Sequence, residues 1–534
     1  MLQQVRSSVP SSQSPAKDLF LCIISALLLI ISFPNFNLWI SAWFGFVPLF
    51  FALENKSKGK AFLLAYLTGI IFWWGIIYWL VHVTFIGTFV LILYLALYFG
   101  VFGLFYSSVA HRPSPIAPFI LASAWTILEY LRAHLLTGFP WALLGYSQYL
   151  NLPVIQISDI TGAWGVSFLM VMINVVIYKV MGNGSWVMGK RQKIHLSVKP
   201  FILTLFFIFF CLTYGVYKLY LTPNTYDPRP IKISVIQGNI PQELKWMPDA
   251  KEYILDKHIE LTEKAAVENP DLIVWPEAAL PAVLEEEPAL FERVSYAAAK
   301  VKTSLLVGAV TLREDFYYNS ALLISSQGET LVKYNKLHLV PFGEYIPLKK
   351  TFPFLETIAP IGDIRPGQDY TIFELPSLNA KARKRESAQT KFAVLICFED
   401  LFPELSRRFV KNGAQFLVNI TNDAWYKKTS APYQHLQASV FRAVENRVNL
   451  ARAANTGVSG FIAPNGKIIS LVRDRNGRNI FIDGFKYQEI AIIERQPTFY
   501  ACYGDVFIVA CFLFLLYGII HNLKNITKNV KLKA

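Results

Sequence analysis

Membrane-length apolar segments on both sides of a polar stretch of roughly 280 residues constrain this fold more than any other feature. A helix crossing the hydrocarbon core needs about 20 predominantly apolar residues. Candidate stretches lie at 19–34, 38–53, 61–81, 86–110, 115–136, 156–180, 200–220 and 505–522. Seven precede the polar stretch and one follows it, so eight spans are expected. The first two are short and separated only by Pro34-Asn35-Phe36-Asn37, which fits one hairpin or a re-entrant pair. A cleaved signal peptide over 1–34 fits less well, because the leading segment is weakly basic and carries no A-x-A-like site.

Charge orients these spans. The net charge of +14 invites a nucleic-acid reading, but the polar stretch 222–503 holds 34 Lys/Arg against 32 Asp/Glu. The remainder holds 17 against 5, so the basicity belongs to the membrane part. It also alternates. Arg6 and Lys17 precede the first span, and Lys56, Lys58 and Lys60 separate the second and third. Arg112 follows the fourth; Lys190, Arg191, Lys193 and Lys199 follow the sixth; Lys524, Lys528, Lys531 and Lys533 follow the last. The loops 34–37, 82–85 and 138–155 contain neither Lys nor Arg. The positive-inside rule then puts both termini in the cytoplasm and the polar domain outside. Nucleic-acid binding is excluded on this distribution.

Within the polar stretch, short β-branched runs alternate with helical patterns. Strands are expected at 232–237, 271–275, 304–310, 320–325, 391–397 and 415–421, with two closing strands near 458–463 and 467–472. Helices are expected over 249–268, 288–301, 402–412 and 432–454. This alternation argues for an α/β layered domain. Residues 377–391 are strongly basic and read as a solvated surface excursion, though Arg383, Lys384 and Arg385 offer charge for anionic headgroups.

Three apparent strand ends carry groups with chemistry. Of five cysteines, Cys22, Cys211 and Cys511 fall in apolar spans and Cys502 at the edge of one, which leaves Cys397 alone in the polar domain. Glu277 follows DLIVWP, and Lys336 follows a strand-like segment in Tyr334-Asn335-Lys336. Open α/β sheets gather ligands at the carboxyl ends of their strands. Acyl transfer through a thiol needs a base for its proton and a cation or donor for the oxyanion. Glutamate and lysine fit those two roles, and neither metal nor cofactor is expected. A histidine base remains open on spacing alone, with His338 and His435 as the candidates. A buried structural cysteine and a capping glutamate are the bland readings of the same residues.

The segments VWPEAALP (274–281), YNKLHLVPFGEYIP (334–347) and LICFEDLFPE (395–404) resemble the three signature segments of the nitrilase superfamily. Together with the spans, with QGNIPQELKW (237–246), TGFPWALLGYSQ (137–148) and ITNDAWY (420–426), the whole chain resembles the bacterial apolipoprotein N-acyltransferases. That resemblance implies an αββα sandwich over 222–503, seven transmembrane helices over 1–221, and a last helix with a basic cytoplasmic tail over 504–534. It implies location in the inner membrane with the catalytic domain in the periplasm. It further implies a Glu277–Lys336–Cys397 triad that moves an acyl chain, preferentially the sn-1 chain of phosphatidylethanolamine, onto the α-amine of a lipoprotein's N-terminal diacylglyceryl-cysteine. By the same resemblance Glu344 orients the lysine, Glu399 supports the site, and Trp246, Phe139 and Trp141 line the lipid entry. Phe398, also expected to contact substrate, stands after the nucleophile where some members have tyrosine. A membrane-tethered amidohydrolase would use the same three groups with water in the second step. A transporter with an outer binding domain is the reading from another class, but few charges lie within the spans, Glu129 and Arg132 being a pair three residues apart.

Overall fold

The computed structural model describes residues 14–109, 116–182, 198–221, 230–346, 364–375, 389–492 and 496–531. Arg6, Arg112, Lys190, Arg191, Lys193, Lys533 and the Arg383–Arg385 cluster lie outside the described residues.

Four helices among the described residues are long and apolar enough to cross a membrane: Lys58–His82, Phe85–Val109, Ala163–Gly182 and Phe201–Tyr220. The other expected spans take shorter or more polar forms. Pro15–Ile31 is a 17-residue helix, and 38–53 divides into a 3-10 turn at Trp39–Trp43 and a short helix at Val47–Leu53. Ala117–His134 carries Glu129 and Arg132, and Val506–Lys531 is apolar only as far as Ile520. The expected span 156–180 begins with a separate short turn at Ser158–Thr161, because Gly162 takes a positive φ of 65° before the Ala163 helix starts.

The polar domain is built on two six-stranded sheets. One runs β12 (Gly484–Ala491), β1 (Pro230–Gln237), β2 (Leu272–Val274), β3 (Ser304–Arg313), β4 (Phe316–Ile324) and β5 (Thr330–Asn335). The other runs β11 (Ile468–Leu471), β10 (Gly460–Ile462), β9 (Asn449–Ala454), β8 (Phe416–Thr421), β7 (Thr390–Ile396) and β6 (Phe373–Leu375). In each, the three strands β1-β2-β3 and β7-β8-β9 are parallel, and these are the apolar runs that a sheet covered on both faces requires. Strand alternation sorts the side chains by layer. Ile233, Val235, Leu272, Val274, Leu306 and Leu323 join the core shared with the second sheet. Their neighbours Ile236, Ile273, Leu305, Val307 and Leu322 pack instead with Leu255, Leu261, Leu290 and Val294 of the helices Lys251–Ala266 and Pro288–Val301. The layers are therefore helix, sheet, sheet, helix, as expected.

The second helical layer, Pro403–Lys411 and Ala431–Asn446, does double duty. Every residue of Ala431–Asn446 except Tyr433 is buried, because one side meets the sheet and the other meets the apolar helices. Its polar side chains bridge the two parts. Gln434 accepts from the indoles of Trp79 and Trp141 at 3.1 and 2.7 Å and donates to the carbonyl of Ile76. Gln437 donates to the carbonyl of Tyr146, and Glu445 accepts from the backbone N–H of Ala163. Just beyond it, Arg447 pairs with Asp159 at 2.8 Å. The helix expected over 432–454 ends at Asn446, where Arg447 turns left-handed with φ 55°. Residues 449–454 become β9 between β8 and β10, so pairing on both edges overrides the helical preference of NLARAA. Strand β12 has no counterpart in the sequence reading; its Lys486, Tyr487, Gln488 and Glu489 look solvated, yet it closes the sheet edge against β1.

Candidate active site

Glu277, Lys336 and Cys397 follow three separate strands; Lys336 stands beside Glu277, and both lie near enough to Cys397 for their charges to act on its thiol. Trp275 and Pro276 stop β2, and the Trp275 indole donates to Thr262 at 2.8 Å, which anchors the turn. Gly308 makes the close approach possible: a Cβ there would stand 2.3 Å from the carbonyl oxygen of Pro276 and 2.7 Å from the Cα of Glu277. Glu277 is then held by two donors. Its Oε1 accepts from Asn319 Nδ2 at 2.7 Å and its Oε2 from the backbone N–H of Asn422 at 2.9 Å.

Lys336, one residue beyond β5, is 1% exposed. Its Nζ lies 2.8 Å from Glu344 Oε2 and 3.5 Å from Glu277 Oε1. Burial opposes its charge, but Glu344, Glu277 and Cys397 outweigh burial and raise its pKa, so the group is an ammonium. Glu344 is fixed in turn by Asn319 Nδ2 at 2.8 Å and by the N–H of Val340 at 2.8 Å. Asn319 thus joins both carboxylates.

Cys397 follows β7 at a left-handed φ of 54° and opens the turn Cys397–Leu401. A non-glycine residue in that region costs about 1–3 kcal/mol. Burial, then Glu277, pushes the thiol pKa up, and Lys336 only partly offsets them. The thiol therefore rests protonated and needs a base at the moment of attack.

Glu399 ties two of these segments together. Its Oε1 accepts from the Tyr334 hydroxyl and from the N–H groups of Leu337 and His338, at 2.8, 2.6 and 3.1 Å. Its Oε2 accepts from the N–H of Ile396 at 2.7 Å, so the lysine loop and the cysteine strand share one carboxylate. Burial raises this carboxyl to about 7, with Ile396, Lys336 and His338 opposing it.

Neither histidine is set up as a base for the thiol. His338 stacks on Phe402 with ring centroids 3.7 Å apart, and burial followed by Lys336 lowers it to about 4. His435 has a carboxylate against each ring nitrogen, at 2.9 Å from Asp423 and 2.9 Å from Asp400, and its Nε2 lies 3.3 Å from the carbonyl oxygen of Cys397.

Residues 25–176 match the family described as "Apolipoprotein N-acyltransferase N-terminal domain", and residues 232–491 match "Carbon-nitrogen hydrolase". An apolipoprotein N-acyltransferase of Geobacter metallireducens is 39% identical over 515 residues, 93% of this chain and 94% of that protein. The chain belongs to the apolipoprotein N-acyltransferase family. A second member, from Haemophilus influenzae, is 30% identical over 94% of each chain. Among solved structures, an amidase from Nesterenkonia sp. aligns with 55% of this chain and 100% of its own at 18% identity and a TM-score of 0.38.

The aromatic residues expected at a lipid entry are distributed unevenly in this family member. Trp246 is 48% exposed beside Met247, and Phe139 is half-buried against Trp73. Trp141 is the most deeply buried of the four. It is 2% exposed, donates to Gln434, and packs on Trp79 at 4.9 Å, so it braces the seam between the two parts. Phe398 is buried against Phe402. Glu129 and Arg132 do not simply pair with each other: Glu129 accepts from the N–H of Leu144, and Arg132 donates to the carbonyls of Phe139 and Trp141.

Sequence reasoning missed Asn319, Asn422 and Lys245. Lys245, 4% exposed, donates to the carbonyl of Glu277 at 2.9 Å, and burial lowers it to about 8. The available signal for Asn319 was a polar residue at the centre of the apolar strand pattern YYNSALLI.

Proposed function

We propose that this chain transfers an acyl chain from a membrane phospholipid, by way of a thioester on Cys397, to the α-amine of an N-terminal diacylglyceryl-cysteine on a lipoprotein. Phosphatidylethanolamine, through its sn-1 chain, is the proposed donor. The observation that carries the reading is Lys336, an ammonium 3.5 Å from Glu277 and 2.8 Å from Glu344, near enough to the protonated Cys397 thiol for its charge to act on it. Glu277 takes the thiol proton as sulfur attacks the ester carbonyl, and Lys336 balances the oxyanion. The proton then goes to the departing lysophospholipid alcohol. In the second half Glu277 accepts a proton from the attacking amine and returns it to the leaving thiolate. Glu344 and Asn319 hold the lysine and the base in register, and Glu399 holds the loops that carry Lys336 and Cys397. Trp246, Phe139, Trp141 and Phe398 are proposed to meet the acyl chains.

Both substrates are anchored in lipid, so catalysis belongs at the membrane surface. The proposed arrangement is eight spans, seven within 1–221 and one within 504–534, in the inner membrane. Both termini face the cytoplasm and residues 222–503 form the periplasmic catalytic domain. The buried seam through Gln434, Gln437 and Glu445 supports this reading, because it fastens the α/β domain to the apolar helices.

The test follows one label. Purified protein given acyl-labelled phospholipid alone is expected to hold one equivalent of label and release lysophospholipid, and added diacylated peptide should discharge the label onto its N-terminal amine. Discharge to free fatty acid at the same rate with or without peptide would show an amidohydrolase-type reaction instead.

A further inference from the structure

A second set of buried charges borders the Cys397 turn, and the proposed chemistry leaves it unused. His435 on the Ala431–Asn446 helix is 1% exposed. Its Nδ1 lies 2.9 Å from Asp423 Oδ1, and its Nε2 lies 2.9 Å from Asp400 Oδ1 and 3.3 Å from the carbonyl oxygen of Cys397. Arg452, buried on β9, reaches the other oxygen of each carboxylate, at 3.0 Å from Asp400 Oδ2 and 3.3 Å from Asp423 Oδ2. Ser439 also donates to Asp400.

A neutral imidazole has one N–H and one lone pair. With a carboxylate oxygen against each nitrogen, the neutral ring would aim its lone pair at one of them; the doubly protonated ring donates to both. Charge balance agrees. Two buried carboxylates against one guanidinium leave an uncompensated negative charge, which is costly, and an imidazolium cancels it. Burial disfavours the imidazolium, but Asp400 and Asp423 outweigh burial and the opposing Arg452 and push His435 up to about 9. Burial likewise pushes the two carboxyls up, and His435 with Arg452 more than reverses it. Around this cluster stand Arg442 and Glu445 on the same helix, paired at 2.8 Å, with Arg442 donating to the carbonyls of Asp400 and Leu401, and, beside Asp423, Glu277, the Cys397 thiol and the Tyr426 hydroxyl.

The two carboxylates belong to different parts of the site. Asp400 sits in the turn that Cys397 opens, in a strained left-handed backbone. Asp423 follows Asn422, whose N–H holds Glu277. Asn419 completes the link: it accepts from Arg452 at 2.6 Å and donates to the Cys397 carbonyl at 3.3 Å. We propose that His435, as an imidazolium at neutral pH, is a positioning residue that locks the Cys397 turn to the Asn422–Tyr426 turn and thereby fixes the thiol against Glu277. The inference rests on Cys397 and Glu277 acting as proposed above.

The experiment uses full-length protein in detergent, labelled with ¹⁵N-histidine. At pH 8 one histidine is expected to show both ring nitrogens protonated, since ordinary imidazoles are neutral there. In His435→Gln that signal should vanish. The first-order rate of Cys397 acylation should fall roughly 10²-fold, with KM for the phospholipid changed less than about twofold, because misplacement harms the step more than binding. A wild-type spectrum with no doubly protonated histidine at pH 8 overturns the inference, and it does so even if the variant fails to fold. A folded His435→Gln that acylates at the wild-type rate overturns it as well. Wild-type protein that never acquires label on Cys397 would instead remove the proposed function, while the charge state of His435 would stand as measured.

Discussion

Replacing Asn319 with leucine keeps the side chain's approximate shape and removes a donor shared by two buried carboxylates. Asn319 is 6% exposed, and its Nδ2 stands 2.7 Å from Glu277 and 2.8 Å from Glu344. A hydrogen bond to a charged group contributes about 1.5–3 kcal/mol. Glu277 keeps the Asn422 N–H at 2.9 Å and the more distant Lys336, so it retains an anchor but loses the bond that fixes its Oε1. If one such bond is used in positioning the base, about 1.5–3 kcal/mol corresponds to roughly a 10- to 150-fold slower acylation. The assay is single-turnover release of lysophospholipid from labelled phospholipid, with thermal unfolding followed in parallel. Asn319→Asp should do worse, because it sets a third carboxylate against two others with Lys336 between them. Asn319→Leu protein that is folded and acylates within about threefold of wild type would refute the view that this bond holds the base.

Glu277→Gln should lose about 10²–10⁴-fold in acylation, since the amide cannot accept the thiol proton; near-normal turnover would remove Glu277 as the base. Lys336→Arg should also fail in the same assay, because a planar guanidinium cannot occupy the point between Glu344 and Glu277 that the ammonium fills. Gly308→Ala should cost about 1–3 kcal/mol in unfolding free energy and slow acylation, because the new methyl meets backbone atoms of Pro276 and Glu277; an unchanged Tm would contradict this. The His435 contribution to stability is fully present below its unfolded pKa near 6.5 and is lost as pH rises through about 9. Denaturant unfolding should therefore show a decline in stability from pH 7 to 10 that is weaker in His435→Gln. A reporter fused after residue 230 should be active only outside the cytoplasm, and cytoplasmic activity there would overturn the proposed orientation.

Four of the expected apolar spans and the strand-end placement of the candidate groups were legible because both depend on local composition. Solvation alone sets the length of an apolar span, and a strand that ends in Trp-Pro-Glu or Ile-Cys must present the next side chain at the sheet's carboxyl edge. Glu277, Lys336 and Cys397 could therefore be named as candidates from one chain, and the alternation of strands and helices was enough for an α/β domain. What the linear order could not supply was partnership. Residues 449–454 read as helix and form a strand, because β8 and β10 lie on either side. Trp141 reads as an entry aromatic and is buried, because the Ala431–Asn446 helix arrives from nearly 300 residues away with Gln434 to meet it. Asn319 gains its two carboxylate partners only because β4 brings it under Glu277 and Glu344, and His435 is set apart from a thiol base only because two turns place a carboxylate at each of its nitrogens. Hydrophobic periodicity is a property of neighbours in sequence. The protonation and aim of a buried polar group are set by whichever charges the fold brings within about 3 Å of it, where the low dielectric makes each contact decisive.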